Sequence, residues 1–372
     1  MFTSLPTIVR LGVLSFAGLS LAALTAEQLQ SESAPTRLAL RPNAWEAVNI
    51  ETERGTNVLE LLNREDGRMQ RAVVPPSEHW EFVSTSPWSD ENGSMEAIGR
   101  FSQVGFSCGR AVPDGPIGLI RVRMPEGRVI ERVPLDVLPT GRPAWNPLRA
   151  DQVVFPGSTG QLYSFRFTPE ATASAGASNW EGAAVRPLTW ACEPMGGRAP
   201  YLVDPSWPRE PELKNLMIVS LAPFGRPVDG KPAPLTPWWL ELDEDGEEIV
   251  AAGPLFGPDD PDAAGQMRSP IVTVRDGRPR LAFIQQKAPT GPPTAFLADL
   301  EWDPQTGRPR VRPGSTAPLP VALPSQGTLI PSLDAATAYL APLGHMEGVR
   351  GVLRLPLEPA PLGELRIAAK PR

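Results

Sequence analysis

Apolar and polar residues alternate in short runs through most of the chain, each run about five to seven residues long and closed by a turn dipeptide. IGLIRVRMPEGRVIERVPL (117–135) reads as two strands around Pro125-Glu126-Gly127. QVVFPGSTGQLYSFRFT (152–168) turns at Gly157 to Gly160, and WWLELDEDGEEIVAAG (238–253) at Asp245-Gly246. SPIVTVRDGRPRLAFIQQ (269–286) turns at Asp276-Gly277, a pair suited to a tight hairpin. Helical spacing occurs only over 43–63, where Gly55 interrupts it. Val58 to Leu62 followed by Arg64-Glu65-Asp66-Gly67 reads better as strand and turn. No stretch alternates strands with long amphipathic helices, so an α/β class is excluded.

A longer period lies over this one. A proline-containing inner segment, a second strand and a third strand recur at 139–168, 186–221, 269–303 and 327–359. The inner segments fall near 143, 188, 271 and 329, and the wide gap between the second and third leaves room for a unit centred on PLTPWWLELDEDG (234–246). Units of about 40–50 residues suit the four-stranded blades of a radial array. The expectation is an all-β chain forming a β-propeller of seven blades, with six or eight as alternatives. A pair of β-sandwiches or a jelly roll is the rival architecture. Ring closure is expected through Arg37 to Arg41 (RLALR) or Val58 to Leu62 pairing with a strand in 348–357.

One copy carries a recognisable motif. Ser269-Pro270, then Asp276-Gly277, then Leu281-Ala282-Phe283-Ile284 resembles the WD40-like, TolB-type β-propeller repeat. The motif covers 269–303. A partial copy follows at 331–343, where Ala335-Ala336 stand in place of the glycine turn. The resemblance implies a propeller and is silent about a ligand.

Composition agrees with frequent turning: 46 prolines and 33 glycines stand among 372 residues, without a collagen period. The net charge is -7, and the 35 basic residues form no patch interleaved with aromatics, so nucleic acid is not expected as a partner. Arg10 precedes an apolar run from Leu11 to Leu24, too short to span a bilayer and suited to a secretory signal. Ser20-Leu21-Ala22 and Ala26 offer cleavage positions. Residues 1–26 are therefore expected to be a signal peptide, 27–36 a flexible lead-in and 37–372 a single propeller domain. The mature chain is expected in the periplasm or outside the cell, without an integral membrane span. Cys108 and Cys192 are the candidate disulfide of such an exported protein.

Motifs for chemistry are scarce. His79 and His345 stand alone, and neither HExxH nor a Cys/His cluster occurs, so no metal is expected. There is no G-x-S-x-G elbow and no phosphate-cradling glycine loop, so no cofactor is expected and no catalytic residue is assigned. Asp243-Glu244-Asp245 reads as a solvated hairpin tip, and Asp259, Asp260 and Asp262 as a polar loop. Among ten tryptophans, Trp145, Trp190 and Trp238 lie near inner segments, as blade-packing rings or rings that stack on a ligand. The expected function is a non-catalytic binding scaffold whose partner is a protein or envelope component, with a saccharide as a further candidate ligand. The alternative is a secreted carbohydrate-active hydrolase using two loop carboxylates at the channel mouth.

Overall fold

The computed structural model describes residues 41–358 apart from 54–55, 75–78, 91, 108–109, 168–183, 193–199, 209–212, 214, 223–233, 258–259, 289–290, 324–326 and 343–351. The expected signal peptide and lead-in, together with Cys108, His345 and Asp259, lie outside the described residues. Every regular element described is a β-strand. Among the described residues no helix is long and apolar enough to cross a membrane.

The strands form six successive antiparallel sheets, the blades of a β-propeller. Blade 1 comprises Trp45–Glu53, Thr56–Asn63 and Met69–Val74. Blade 2 begins at His79–Thr85 and continues through Met95–Ser107, Arg110–Met124 and Arg128–Pro134. Blade 3 runs from Ala144–Trp145 through Gln152–Pro156 and Leu162–Arg166 to Ala184–Pro187. Blade 4 holds Tyr201–Ser206, Leu216–Ala222, Thr236–Leu242 and Glu248–Pro254. Blade 5 holds Gln266–Arg275, Arg278–Gln286 and Thr294–Trp302, flanked by Pro309–Val311 and Ala317–Ala322. Blade 6 is Gly327–Pro331, Thr337–Pro342 and Leu353–Pro356.

Six blades rather than seven follow from how 186–254 is divided. PLTPWWLELDEDG is not a unit of its own, because Thr236–Leu242 pairs with Leu216–Ala222 inside blade 4. Likewise 186–221 is not one unit. Ala184–Pro187 is the last strand of blade 3, and Thr189–Trp190 crosses to pair in parallel with Glu248 and Ile249 at the far edge of blade 4. The inner strand of blade 4 is Tyr201–Ser206, eleven residues beyond Trp190.

Of the segments expected to close the ring, 37–40 and 348–351 lie outside the described residues. Val58 to Leu62 is the middle of blade 1, paired on both sides, and does not join the last blade. Arg41 pairs with Ser89 in a short ladder beside blade 2. Leu353–Pro356 pairs with Thr337–Leu340 of its own blade. The first and last blades meet face to face, where Val48 and Leu62 pack on Ile330, Tyr339 and Ala341. Burial of these apolar positions favours the contact between the two blades.

The same device operates between the other blades. Phe283, fully buried, sits edge-on to Phe256 and stacks on Phe296, with centroids 5.6 and 5.7 Å away. Ile218 and Trp239 of blade 4 share that cluster with Leu281 and Ala298 of blade 5. The hairpin holding Phe283 turns at Asp276 (φ 53°) and Gly277 (φ 70°). Two successive positive φ angles match the right-handed twist of the flanking strands.

Candidate functional site

Inner segments of all six blades line one cavity of about 200 Å³ on the propeller axis. Blade 1 supplies Glu46 and Arg64, blade 2 Ser84 and Thr85, blade 3 Arg142 and Trp145. Blade 4 supplies Ser206 and Trp207, blade 5 Ile271 and Thr273, blade 6 Pro331 and Ser332. Six of the lining residues are prolines: Pro87, Pro143, Pro147, Pro205, Pro208 and Pro331. The reason is geometric. Pro205 and Pro331 lie in axis-facing edge strands, where a residue without N–H leaves no ladder bond unmade, and the other four flank such strands in segments that make no ladder.

Three inner strands carry the same irregularity before they reach the cavity. The ladder shifts register between Glu81 and Ser84, between Val203 and Ser206, and between Arg268 and Ile271. Within each shift one non-glycine residue has positive φ: Phe82 (53°), Asp204 (54°) and Ser269 (52°). Such a conformation costs about 1–3 kcal/mol and persists only where the surroundings enforce it. A bulge re-aims the residues that follow it. Here the residue two positions on (Ser84, Ser206 or Ile271) lines the cavity in each case. The Ser-Pro of the repeat motif is thus the bulge itself.

Polar bonds between blades hold this wall. Asp204 accepts from Arg268 Nε and Nη2 at 2.6 and 3.0 Å and from the Ser269 N–H at 2.9 Å. Burial alone would raise the Asp204 carboxyl, but the Arg268 charge and these donors outweigh it and hold it below the usual carboxylate range. The same pairing raises Arg268. Ser206 Oγ donates to the Pro270 carbonyl at 2.6 Å, and Ser269 Oγ accepts from the Leu329 N–H at 2.7 Å, so blades 4, 5 and 6 are joined in sequence. On the opposite side Arg142 Nη2 donates to Glu46 Oε1 at 2.8 Å and to the Ala47 carbonyl at 2.5 Å. Glu46 Oε1 also accepts from the Thr85 N–H at 3.1 Å. Burial pulls the Arg142 guanidinium down, against the upward pull of Glu46.

Arg64 differs from these. Its Nε donates to the Pro331 carbonyl at 2.7 Å, latching blade 1 to blade 6, and its side chain is almost wholly buried. Its Nη1 has no hydrogen-bond partner. Three other lining residues carry buried polar atoms without one: Ser84 Oγ, Trp145 Nε1 and Thr273 Oγ1. Unmade hydrogen bonds of buried groups cost about 1–3 kcal/mol each, and native proteins keep few of them. The charged groups of the described lining are Arg64, Arg142 and Glu46. Because Arg142 and Glu46 pair, the cavity keeps one uncompensated positive charge.

The tryptophans divide. Trp145 lines the cavity and lies edge-on to Trp88 and Phe167, with centroids 6.0 and 5.5 Å apart. Trp238, whose Nε1 donates to Thr236 Oγ1 at 3.0 Å, and Trp190 both pack in the blade 4 core away from the cavity. Trp207 lines the cavity although its position draws no notice in the sequence. Cys192 is a free thiol with its Sγ 3.6 Å from the Ile249 carbonyl, and its candidate partner Cys108 lies outside the described residues. His79 opens the first strand of blade 2 opposite Ser102. Asp243 serves its own hairpin: Oδ1 accepts from the Glu247 and Glu248 N–H groups, and those bonds lower its carboxyl against the opposing effect of burial. Among the described residues no three His, Cys, Asp or Glu side chains gather in a metal-binding group.

Sequence reasoning missed Arg64, Ser84 and Thr273. The one available signal was the recurring proline near each inner segment, which marks the axis-facing edge but not the side chains beside it.

No family model and no curated protein matches the chain. Solved structures do align with it. The dihydro-heme d1 dehydrogenase NirN in complex with DHE is 15% identical, with TM-score 0.35 over 86% of this chain and 63% of the other. The Bombyx mori GH32 beta-fructofuranosidase BmSUC1 is 13% identical, with TM-score 0.37 over 79% of this chain and 69% of the other. The intramolecular trans-sialidase from Ruminococcus gnavus in complex with oseltamivir carboxylate is 10% identical, with TM-score 0.39 over 88% of this chain and 68% of the other. Likeness this distant says nothing about chemistry.

Proposed function

We propose that the protein is an exported, non-catalytic β-propeller that binds a group of a protein or envelope component in its axial cavity. The observation that carries this is the cavity wall: every blade contributes to it, and it brings Trp145 and Trp207 together with the polar residues Arg64, Thr85 and Ser206. A concave site lined mainly by apolar and aromatic groups with a few polar side chains is the usual form of a binding pocket. A glycosidase reading asks instead for two carboxylates facing one another roughly 5–10 Å apart. Among the described lining residues Glu46 is the one carboxylate, and it is held by Arg142 and Thr85. That arrangement favours binding over hydrolysis.

The test is capture from a solubilised envelope fraction on immobilised full-length protein, beside a Trp145→Ala, Trp207→Ala variant with one cavity wall removed. A component retained by the wild type and lost by the folded variant supports the reading. Equal retention by both would place binding elsewhere, and no retention would remove the reading.

A further inference from the structure

The polar side chains of the axial cavity are mostly committed to its wall, and this selects among the groups that could enter. Glu46 and Arg142 bond each other, Thr85 Oγ1 donates to the Trp45 carbonyl at 2.8 Å, and Ser206 Oγ donates to the Pro270 carbonyl at 2.6 Å. Ser332 Oγ donates to Asp334 Oδ1 at 2.5 Å and accepts from the Thr337 N–H at 3.0 Å. The partnerless atoms of Arg64, Ser84, Trp145 and Thr273 are sealed within the wall, with almost no accessible surface for a ligand to touch. Of the polar-bearing residues in the described lining, Thr328 and Trp207 remain, both half-buried. The rest of the reachable lining is rings and alkyl groups. Pro87, Pro147 and Pro331 are half-buried, and Leu333 is 38% exposed.

Such a surface disfavours two classes of ligand. A charged group would lose its water without gaining a reachable counter-charge, since Glu46 and Arg142 neutralise one another. An anion finds no reachable donor on Arg64, which is 1% exposed and has its Nε bonded to the Pro331 carbonyl. A bare saccharide would leave most of its hydroxyls without partners. An uncharged apolar group meets neither penalty and gains by leaving water. Size narrows the choice further. About 200 Å³ falls below the roughly 300–1,000 Å³ of sites that enclose a whole small ligand, and suits one side chain of a larger molecule. The flat Trp207 ring favours another ring over a flexible chain. Its N–H donates, and the Thr328 hydroxyl donates or accepts, which suits the peptide groups that carry such a side chain.

We propose that the axial cavity receives one uncharged aromatic side chain of a polypeptide partner, packed against Trp207, Leu333 and the prolines of the lining. This rests on the binding function proposed above and names the group that fills its site. No bond is made or broken.

The experiment is titration of the full chain with end-blocked Gly-Gly-Xaa-Gly-Gly peptides carrying phenylalanine, leucine, glutamate or lysine at the centre. D-glucose and octyl glucoside below its micelle concentration are run beside them. Ligand-observed NMR reads binding, and thermal unfolding is followed in parallel. The expected result is binding of the phenylalanine peptide, with leucine weaker by several-fold and glutamate and lysine weaker by about tenfold or more. Trp207→Ala weakens the phenylalanine peptide by about tenfold. Leu333→Ser weakens it by several-fold and leaves unfolding unchanged, because that side chain is exposed in the free protein. A merely structural role for Leu333 would move unfolding and not affinity. No binding of the phenylalanine peptide, equal binding of the glutamate or lysine peptide, or unchanged affinity in either variant would each overturn the proposal. Tighter binding of D-glucose or of octyl glucoside would also overturn it, by assigning the cavity to a saccharide or to a lipid chain. An envelope component that is captured but not displaced by the phenylalanine peptide overturns the inference and leaves the binding function standing. Binding of that peptide without any captured component does the reverse.

Discussion

Arg268 of blade 5 reaches Asp204, the bulged residue of the neighbouring inner strand, with Nε and Nη2 at 2.6 and 3.0 Å. The residue after Arg268 continues the join. Ser269 N–H donates to the same carboxylate, and Pro205 lines the cavity. Two blades are thus locked at the point where each strand departs from regular geometry. The positive φ at Asp204 and Ser269 is retained because the residues that adopt it are bonded to each other.

Asp204→Asn should therefore destabilise the ring by about 2–3 kcal/mol, since it leaves Arg268 without its counter-charge. Because the folded carboxyl is lowered, the pair's stabilisation is fully present above the unfolded carboxylate range and lost as pH falls through the folded value. The acid limb should thus lie below about pH 4. Urea midpoints measured against pH check this. The variant's midpoint should depend less on pH in that window, and an unchanged acid limb would refute the assignment.

Ser269 separates strain from hydrogen bonding. Alanine and glycine both remove the Oγ that accepts the Leu329 N–H. Only glycine also relieves the positive φ, worth about 1 kcal/mol or more. Ser269→Gly should accordingly be more stable than Ser269→Ala, although it is the smaller residue. Chemical denaturation of the two variants decides, and the reverse order would mean that the bulge is not held under strain.

Glu46 and Arg142 should behave as a coupled pair. Glu46→Gln leaves a buried guanidinium with weakened partners and should cost about 2–4 kcal/mol, whereas the Glu46→Gln, Arg142→Met double variant should recover part of that loss. A double-mutant cycle in denaturant measures the coupling. Strict additivity would show that the pair does not brace the cavity wall.

Cys192 is expected to react with iodoacetamide in the purified protein without prior reduction, because its thiol is free and only half-buried. Peptide mass spectrometry reads this directly. A recovered peptide pair linking Cys192 to Cys108 would instead establish the bridge that the sequence raises as a candidate.

The strands and turns were legible because they are local. Asp276-Gly277 needs only two residues able to adopt positive φ, and the alternation on either side needs only one buried face. The prolines of the inner segments were legible too, since an axis-facing edge tolerates a missing N–H. What tertiary structure alone decided was how these pieces were grouped. Trp190 and Trp238 look like successive inner positions in the chain, yet both pack in one blade, because Thr189–Trp190 crosses to the outer edge of blade 4. Blade number followed from that crossing. The cavity was decided in the same way. Arg64, Ser84, Trp145 and Thr273 come from four blades and share no spacing. Their common property, buried polar atoms without partners, exists only once six sheets have closed around an axis. Sequence determined an all-β chain of hairpins because hairpin formation depends on near neighbours. The site depended on residues up to 209 positions apart meeting, which no local pattern encodes.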